Sequence, residues 1–435
     1  VNLLDLAYVP LAIATAPWWL GKRRHGWRER FGDIEPLPKR RPGVARVMLH
    51  AVSVGEVAAI RALVPMLAER GEVVVSVTTD TGLARARELY GGMPGVFVVR
   101  YPLDFSWAVA RVLDRVAPDA VALVELEVWP NFVKACARRG IPIAVINGRL
   151  SERSFRGYRR ARTVLGPTFR RLTMVAAQDE DYAARFRAMG VEPSRVRVTG
   201  SMKWDAARIE DEVPGAAALA KDLGIDRAIP LIVAGSTAEA VVRRTDGSVV
   251  EEPEEALIVR CARAAAGGTP VQVLCAPRKP DRFDRAAEAM PGCTRRSAGP
   301  CDHAGSGGLF LLDTIGELRA AYALASVVVI GRSFGTLYGS DPVEPVSLGK
   351  PTVIGPRFGD FESAVRILRE GGGLDVVADE AGLTAAIARF LRDPGAGAAM
   401  GTNGRACIRA HQGSTRVHAE VVMELALGRG AKGGG

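Results

Sequence analysis

The polar residues that could do chemistry in this sequence stand at the ends of apolar runs. Glu125 and Glu127 lie two apart just after AVALV (residues 120–124), so they share one face of an extended chain. Two carboxylates buried together there cannot both ionise cheaply; the alternative is a strand end that reaches solvent. Ser53 and Glu56 form an S-x-x-E capping box at a helix start, and Ser53, Gly55 and the free backbone N–H groups beside them offer a place for a substrate anion. Asn147 and Arg149 close a third apolar run, Gly200, Ser201, Lys203 and Asp205 a fourth, and Ser236 with Thr237 a fifth. Arg278 and Lys279 follow TPVQVLCAP and precede Pro280, two cations at a strand exit that suit a phosphate or a solvated loop. Gly331, Gly335 and Gly339 permit tight turns beside a ligand, and Pro342 and Glu344 open a short helix after them. Several polar strand ends taken together point to a site more firmly than any one alone.

The elements that must position these residues follow one pattern. VARVMLHAV (44–52) reads as a buried strand, and SVGEVAAIRALVPMLAER after it has the period of one helix. VVVSVTT (73–79), AVALVELEVWPN (120–131), IPIAVINGRLS (141–151) and TMVAAQDEDYAARFRAMG (173–190) repeat the alternation. Strand, helix, strand with short connections predicts a parallel, doubly wound α/β sheet, which binds ligands beyond the carboxyl ends of its strands. The proline and glycine in AARIEDEVPGAAALAKDL (206–223) mark a boundary, and a second such series begins near Leu231. VVRRTDGSVVEEPEE (241–255) reads as a solvated surface insertion, a loop or hairpin. The division expected is an apolar segment at 1–21, an α/β domain at 22–208, a second at 209–428 and a disordered tail at 429–435.

Composition narrows the setting. Hydrophobic residues make up 48% of the 435 and charged residues 24%, as in a globular chain. Between Leu3 and Leu20 the only charge is Asp5, while Pro10 and Pro17 interrupt the run; such a segment can lie on a membrane or cross it. Lys22, Arg23, Arg24, Arg28 and Arg30 come after it, which places the rest on the cytoplasmic face near anionic headgroups. The net charge of +10 suits nucleic acid, anionic lipid or a phosphorylated substrate, but the arginines are dispersed with few aromatics among them, against a nucleic-acid groove. Six scattered cysteines and five dispersed histidines give neither a disulfide framework nor metal-ligand spacing.

Taken in order, WRERFG, HAVSVGE, ELEVWPN, INGRLS, VTGSMKWD, PRKPDRF, DTIGEL and the stretch from GRSF to EPVSLGKPTVIGP resemble the 3-deoxy-D-manno-octulosonic acid (Kdo) transferases of lipopolysaccharide assembly. The resemblance implies a GT-B glycosyltransferase fold, two Rossmann-like domains facing a cleft, with an N-terminal membrane anchor. It implies CMP-Kdo as donor, a lipid A precursor of the lipid IVA type as acceptor, inversion at the anomeric carbon, and no metal or cofactor. Glu29 falls on the glutamate of the family's W-x-E-R-x-G pattern and would be the general base; without that motif it reads as a solvated glutamate paired with Arg28 or Arg30. Arg278 and Lys279 would hold the CMP phosphate and Glu344 the ribose, with Gly331, Ser333, Gly339, Ser340 and Asp341 lining the donor site. Ser53, Gly55 and Glu56 would lie on the acceptor side, and Glu125, Asn147, Arg149, Lys203 and Ser236 elsewhere along the cleft.

Two positions depart from the family's pattern. Its R-H-P appears as Arg278, Lys279, Pro280, and its G-G-H-N as Tyr338, Gly339, Ser340, Asp341. Lysine still meets a phosphate as a point charge, while aspartate for asparagine loses an amide donor and adds a negative charge near the nucleotide. The competing expectations are another membrane-associated GT-B glycosyltransferase and a catalytically silent membrane scaffold of the same fold.

Overall fold

The computed structural model describes residues 5, 6, 8, 25–243, 248–300 and 308–428. Most of the apolar segment 1–21, Lys22, Arg23, Arg24, Cys301 and the tail 429–435 thus lie outside the described residues. The chain forms two compact units, residues 1–206 with 411–435, and residues 207–410.

The first unit is built on β1 (Arg46–Ala51), β2 (Glu72–Val77), β3 (Val96–Arg100), β4 (Ala120–Val124), β5 (Ile143–Gly148), β6 (Met174–Ala177) and β7 (Val196–Val198). All pair in parallel in the order β3-β2-β1-β4-β5-β6-β7. Every residue of β1, β2, β4 and β5 is buried, as near-continuous apolar runs require when helices cover both faces. Alternate side chains feed two cores: Met48, Val74 and Leu123 pack with Val112 and Phe132, whereas Val47, Leu49 and Val75 pack with Leu63 and Val422. The strand order reverses between β1 and β4.

The second unit has β8 (Leu231–Thr237), β11 (Gln272–Pro277), β12 (Thr294–Arg295), β13 (Leu309–Leu311), β14 (Val327–Ile330), β15 (Thr352–Ile354) and β16 (Asp375–Val376), with β9 (Glu239–Arg243) and β10 (Val249–Pro253) between the first two. Its sheet, again parallel, runs β12-β13-β11-β8-β14-β15-β16 and reverses between β8 and β14. The segment read as an insertion is the antiparallel hairpin β9–β10.

Three expectations change. The helix expected after β1 is two short ones, Val54–Ala59 and Leu63–Ala68, broken at Ile60 to Ala62. The C-terminal helix Ser414–Ala426 belongs to the first unit rather than to a domain running to residue 428, because Ala419, Val422 and Met423 complete the core that holds Val47, Leu49 and Leu63. Asp5, the lone charge of the apolar run, is buried and accepts hydrogen bonds from Ser106 N (2.8 Å) and Asn131 Nδ2 (3.0 Å). No helix among the described residues is long and apolar enough to cross a membrane.

Candidate active site

Glu29 sits in the single-turn helix Trp27–Arg30, which starts from Gly26 in the left-handed region, φ 71°. Its partners are neither of the adjacent arginines: Arg28 pairs with Asp33, and the buried Arg30 reaches Asp80 at 3.2 Å. Instead Arg100, the last residue of β3, donates from Nε to Glu29 Oε2 at 2.9 Å and from Nη1 to Asp80 Oδ1 at 2.6 Å. The other oxygen, Oε1, has Arg87 Nη2 at 3.8 Å. Arg100 is 5% exposed and the Glu29 side chain 30%, so a buried guanidinium anchors a carboxylate that still meets solvent. Asp80, just past β2, is held below the usual carboxylate range by Arg100, His25 N–H and Arg30, against the opposing effect of burial.

At the reversal between β1 and β4, where sheets of this type bind ligands, Ser53, Glu56, Glu125 and Glu127 come together. The capping box forms: Glu56 N–H donates to Ser53 Oγ (3.5 Å), Ser53 Oγ–H to Glu56 Oε1 (3.3 Å) and Val52 N–H to Glu56 Oε2 (2.7 Å). Partial burial, with added repulsion from Glu125 and Glu127, lifts the Glu56 carboxyl to about 7 despite those bonds. Burial also raises Glu127, which accepts from Trp129 Nε1 at 2.8 Å. Glu125 has φ 61° and Asn147, on β5, φ 50°. A non-glycine residue in this region is strained, and strain held at strand ends is a mark of functional sites. Arg149 N–H donates to Glu125 O (3.2 Å), tying the two ends together. Asn147 is fully buried, accepts from Met202 N (3.1 Å) and leaves Nδ2 without a protein partner. Gly55 is exposed in the first turn after Ser53, and Lys203 lies in the turn after Ser201. Asp205, read as a strand-end polar group, instead caps the returning chain by accepting from Gly413 N and Thr415 N.

In the second unit the candidates gather at the carboxyl ends of β8, β11 and β14, three adjacent strands. Ser236, at φ 59°, is on β8 beside Gly331 rather than with the first unit's residues. A Cβ on Gly331 would stand 2.6 Å from Ser236 O and from Thr237 Cα, so only glycine lets the two loops approach this closely. Arg278 and Lys279 are exposed past β11, with Arg278 N bonded to Thr237 O (3.1 Å). Burial raises the hydroxyl of Tyr322 well above its ordinary value, and the charges of Glu344 and Asp341 add to this while that of Arg278 opposes it. Glu344, on the helix Val343–Ser347, is half-buried and its carboxyl raised; Arg319 at 3.8 Å opposes this and Asp341 adds to it. Ser340 is buried with Oγ unpartnered, next to Gly339 at φ 81°. The Ser333 hydroxyl is spent inside the fold, donating to Ile330 O (2.6 Å) and accepting from Gly355 N (2.9 Å).

Sequence reading missed four contributors. Arg100 reaches Glu29, and Asp80 reaches Arg100, only through the strand order, and Arg332, at φ 59°, carries no sign of its left-handed backbone. Glu254, inside the stretch read as solvated, is fully buried: Oε1 accepts from Ser333 N (3.0 Å) and Phe334 N (3.1 Å), and Oε2 from Arg332 N (2.7 Å) and Ala238 N (2.8 Å).

Residues 25–206 match the family described as 3-Deoxy-D-manno-octulosonic-acid transferase (kdotransferase). Over 403 residues the chain is 34% identical to the 3-deoxy-D-manno-octulosonic acid transferase of Bordetella pertussis, covering 89% of this chain and 88% of that one. The chain belongs to the Kdo transferase family. A second Kdo transferase, from Haemophilus influenzae, is 27% identical over 336 residues, 75% of this chain and 74% of that one. Among solved structures, Anabaena Alr3699/HepE in complex with UDP and glucose (15% identity, TM-score 0.57, 88% of this chain and 100% of that one) and a glycosyltransferase from Rickettsia africae (10%, TM-score 0.58, 88% and 99%) share the fold. The two parallel-sheet units thus resemble GT-B glycosyltransferases, and this Kdo transferase carries a polar cluster on each sheet's carboxyl edge.

Proposed function

We propose that the chain transfers Kdo from CMP-Kdo to a lipid A precursor of the lipid IVA type at the cytoplasmic face of the inner membrane, with inversion and without a metal ion. Glu29 takes the proton from an acceptor sugar hydroxyl as that oxygen bonds to the anomeric carbon of Kdo, and CMP departs with the electrons of the broken C–O bond. Arg278 and Lys279 meet the phosphate as its charge grows, and Glu344 accepts from the ribose hydroxyls. The observation that carries this reading is the Glu29 carboxylate, fixed at Oε2 by Arg100 at 2.9 Å while Oε1 has, among the described residues, only Arg87 at 3.8 Å. The Glu56 carboxyl is raised to about 7, but both of its oxygens are engaged in the helix cap, accepting from Val52 N–H and the Ser53 hydroxyl, so a proton taken there would weaken the cap. The membrane setting is supported by the apolar run before Leu20 and by Trp27, Phe31 and the 38%-exposed Trp107, stacked in a row beside Glu29, since tryptophan favours membrane interfaces.

The test is transfer by detergent-purified protein, read by mass spectrometry of the lipid product. Glu29→Gln should abolish turnover, by roughly 1,000-fold or more, while leaving CMP affinity within about twofold; full activity in this variant removes Glu29 as base. Activity should persist in excess chelator. Absence of CMP release from the wild type would favour the silent-scaffold reading, and release with a different sugar donor would favour another glycosyltransferase.

A further inference from the structure

A run of arginines lies on the helices Glu152–Arg160 and Arg162–Phe169 of the first unit. Residues 149–171 contain eight arginines against one acidic residue, Glu152, a net +7 in a chain whose total is +10. Arg153, Arg156, Arg159, Arg160, Arg162, Arg170 and Arg171 are all exposed. At 100° per residue, Arg153, Arg156 and Arg160 fall within about 60° of one another on the first helix. Phe155 and Tyr158 lie on the other side and pack against the first unit's core, with Tyr158 edge-on to Phe169. Glu152 is the neighbouring counter-charge, 3.0 Å from Arg156 and 3.4 Å from Arg185. Like charges three and four residues apart weaken a helix, and among the described residues only Arg156 of this stripe has a carboxylate partner.

We propose that this face docks on the anionic headgroups of a lipid bilayer, a second membrane contact apart from the apolar N-terminal segment. The arginines spread over two helices instead of converging on one buried polar point, which fits a fluid array of phosphates better than a single fixed one. Guanidinium groups bind phosphodiesters in bidentate fashion, and Arg153 borders a shallow groove with Ser154, Gly157, Tyr158 and Leu165 that admits a headgroup. Val164, 65% exposed among these charges, gives the face an apolar point to set at the acyl boundary. Single-stranded nucleic acid would need aromatic rings turned outward to stack its bases, and Phe155 and Tyr158 are turned inward. The inference rests on the proposed membrane setting but not on the identity of donor or acceptor.

The test uses the full chain with Arg153, Arg156 and Arg160 changed together to Gln, and to Lys as a control that keeps the charge. Co-sedimentation with phosphatidylcholine vesicles, with and without phosphatidylglycerol, should show the Gln variant losing roughly 10- to 100-fold in binding to the anionic vesicles. The Lys variant should retain most of it, and thermal melting and transfer to detergent-solubilised acceptor should not change. Unchanged vesicle binding by the Gln variant, or equal wild-type binding to neutral vesicles, overturns the proposal. So does a raised acceptor KM in detergent, which would give the arginines to the acceptor's own phosphates, or displacement of the vesicles by RNA. Vesicle binding needs no turnover, so failure here is distinct from failure of the Kdo-transfer reading.

Discussion

Glu29 can serve as a base only if its carboxylate is held at one point with an oxygen open, and Gly26 is what makes the holding possible. A Cβ at residue 26 would lie 2.5 Å from both Arg100 Nε and Glu29 Oε2. Both are side-chain atoms able to swing away, so the added methyl would break the pair rather than the fold. Gly26→Ala should cost about 1 kcal/mol of stability from its left-handed backbone. It should also lower kcat by roughly 10- to 100-fold, the usual penalty for misplacing a reacting group by an ångström, with CMP affinity unchanged. Steady-state kinetics beside a thermal melt checks this. A kcat equal to wild type would show that the Glu29–Arg100 contact is not needed in turnover.

At the scale of elements, the second unit's proposed donor loop is held by a buried carboxyl. Glu254 collects four backbone N–H groups, three of them consecutive at Arg332, Ser333 and Phe334, and so fixes the turn that follows β14 beside Ser236. Burial lifts its carboxyl to about 7 from an ordinary 4.5 in spite of those bonds. Between these values the folded protein keeps a proton that the unfolded chain has released, so the contribution of Glu254 to stability falls as pH rises from about 4.5 to about 7 and is level above. Binding runs the other way, because only the carboxylate can accept all four bonds. CMP affinity should therefore strengthen as pH rises through about 7. In Glu254→Gln, whose amide sets a donor against a donor, affinity should be roughly tenfold weaker and the pH dependence lost. Calorimetric titration across that range decides it; a variant that follows the wild-type profile would leave Glu254 with no part in the loop. None of this was legible in EEPEE, where glutamates flanking a proline have the composition of a solvated turn, and burial depends on a loop 78 residues further on. The strands and their polar ends were legible, since parallel strands are apolar runs and Ser53, Glu125, Asn147, Ser236 and Gly331 stand out after or within them. Their left-handed backbones at Glu125, Asn147 and Ser236 were not, because a non-glycine residue there leaves no mark in the sequence.

Across the whole molecule, the first unit is closed by a helix the chain makes last. Asp205 and Trp204 end the first pass: Asp205 accepts from Gly413 N and Thr415 N, Gln412 Nε2 donates to Trp204 O at 3.2 Å, and the Trp204 ring lies 5.3 Å from that of His411. From that clamp Ser414–Ala426 lays Ala419, Val422 and Met423, all at most 4% exposed, onto the core behind β1 and β4. The apolar pattern of this helix was readable, but a pattern does not say which of two sheets it covers, and sequence order suggested the wrong one. Met423→Ala should then cost about 3 kcal/mol, within the range for emptying a core methionine site. The loss should fall on the first unit alone. Truncation after Ala410 should go further and expose the first sheet to protease while residues 207–410 stay protected. Limited proteolysis with mass mapping, alongside differential scanning calorimetry, distinguishes the cases: a truncated chain whose second unit is cleaved first, or whose transitions shift together, would mean that the helix supports the second unit after all.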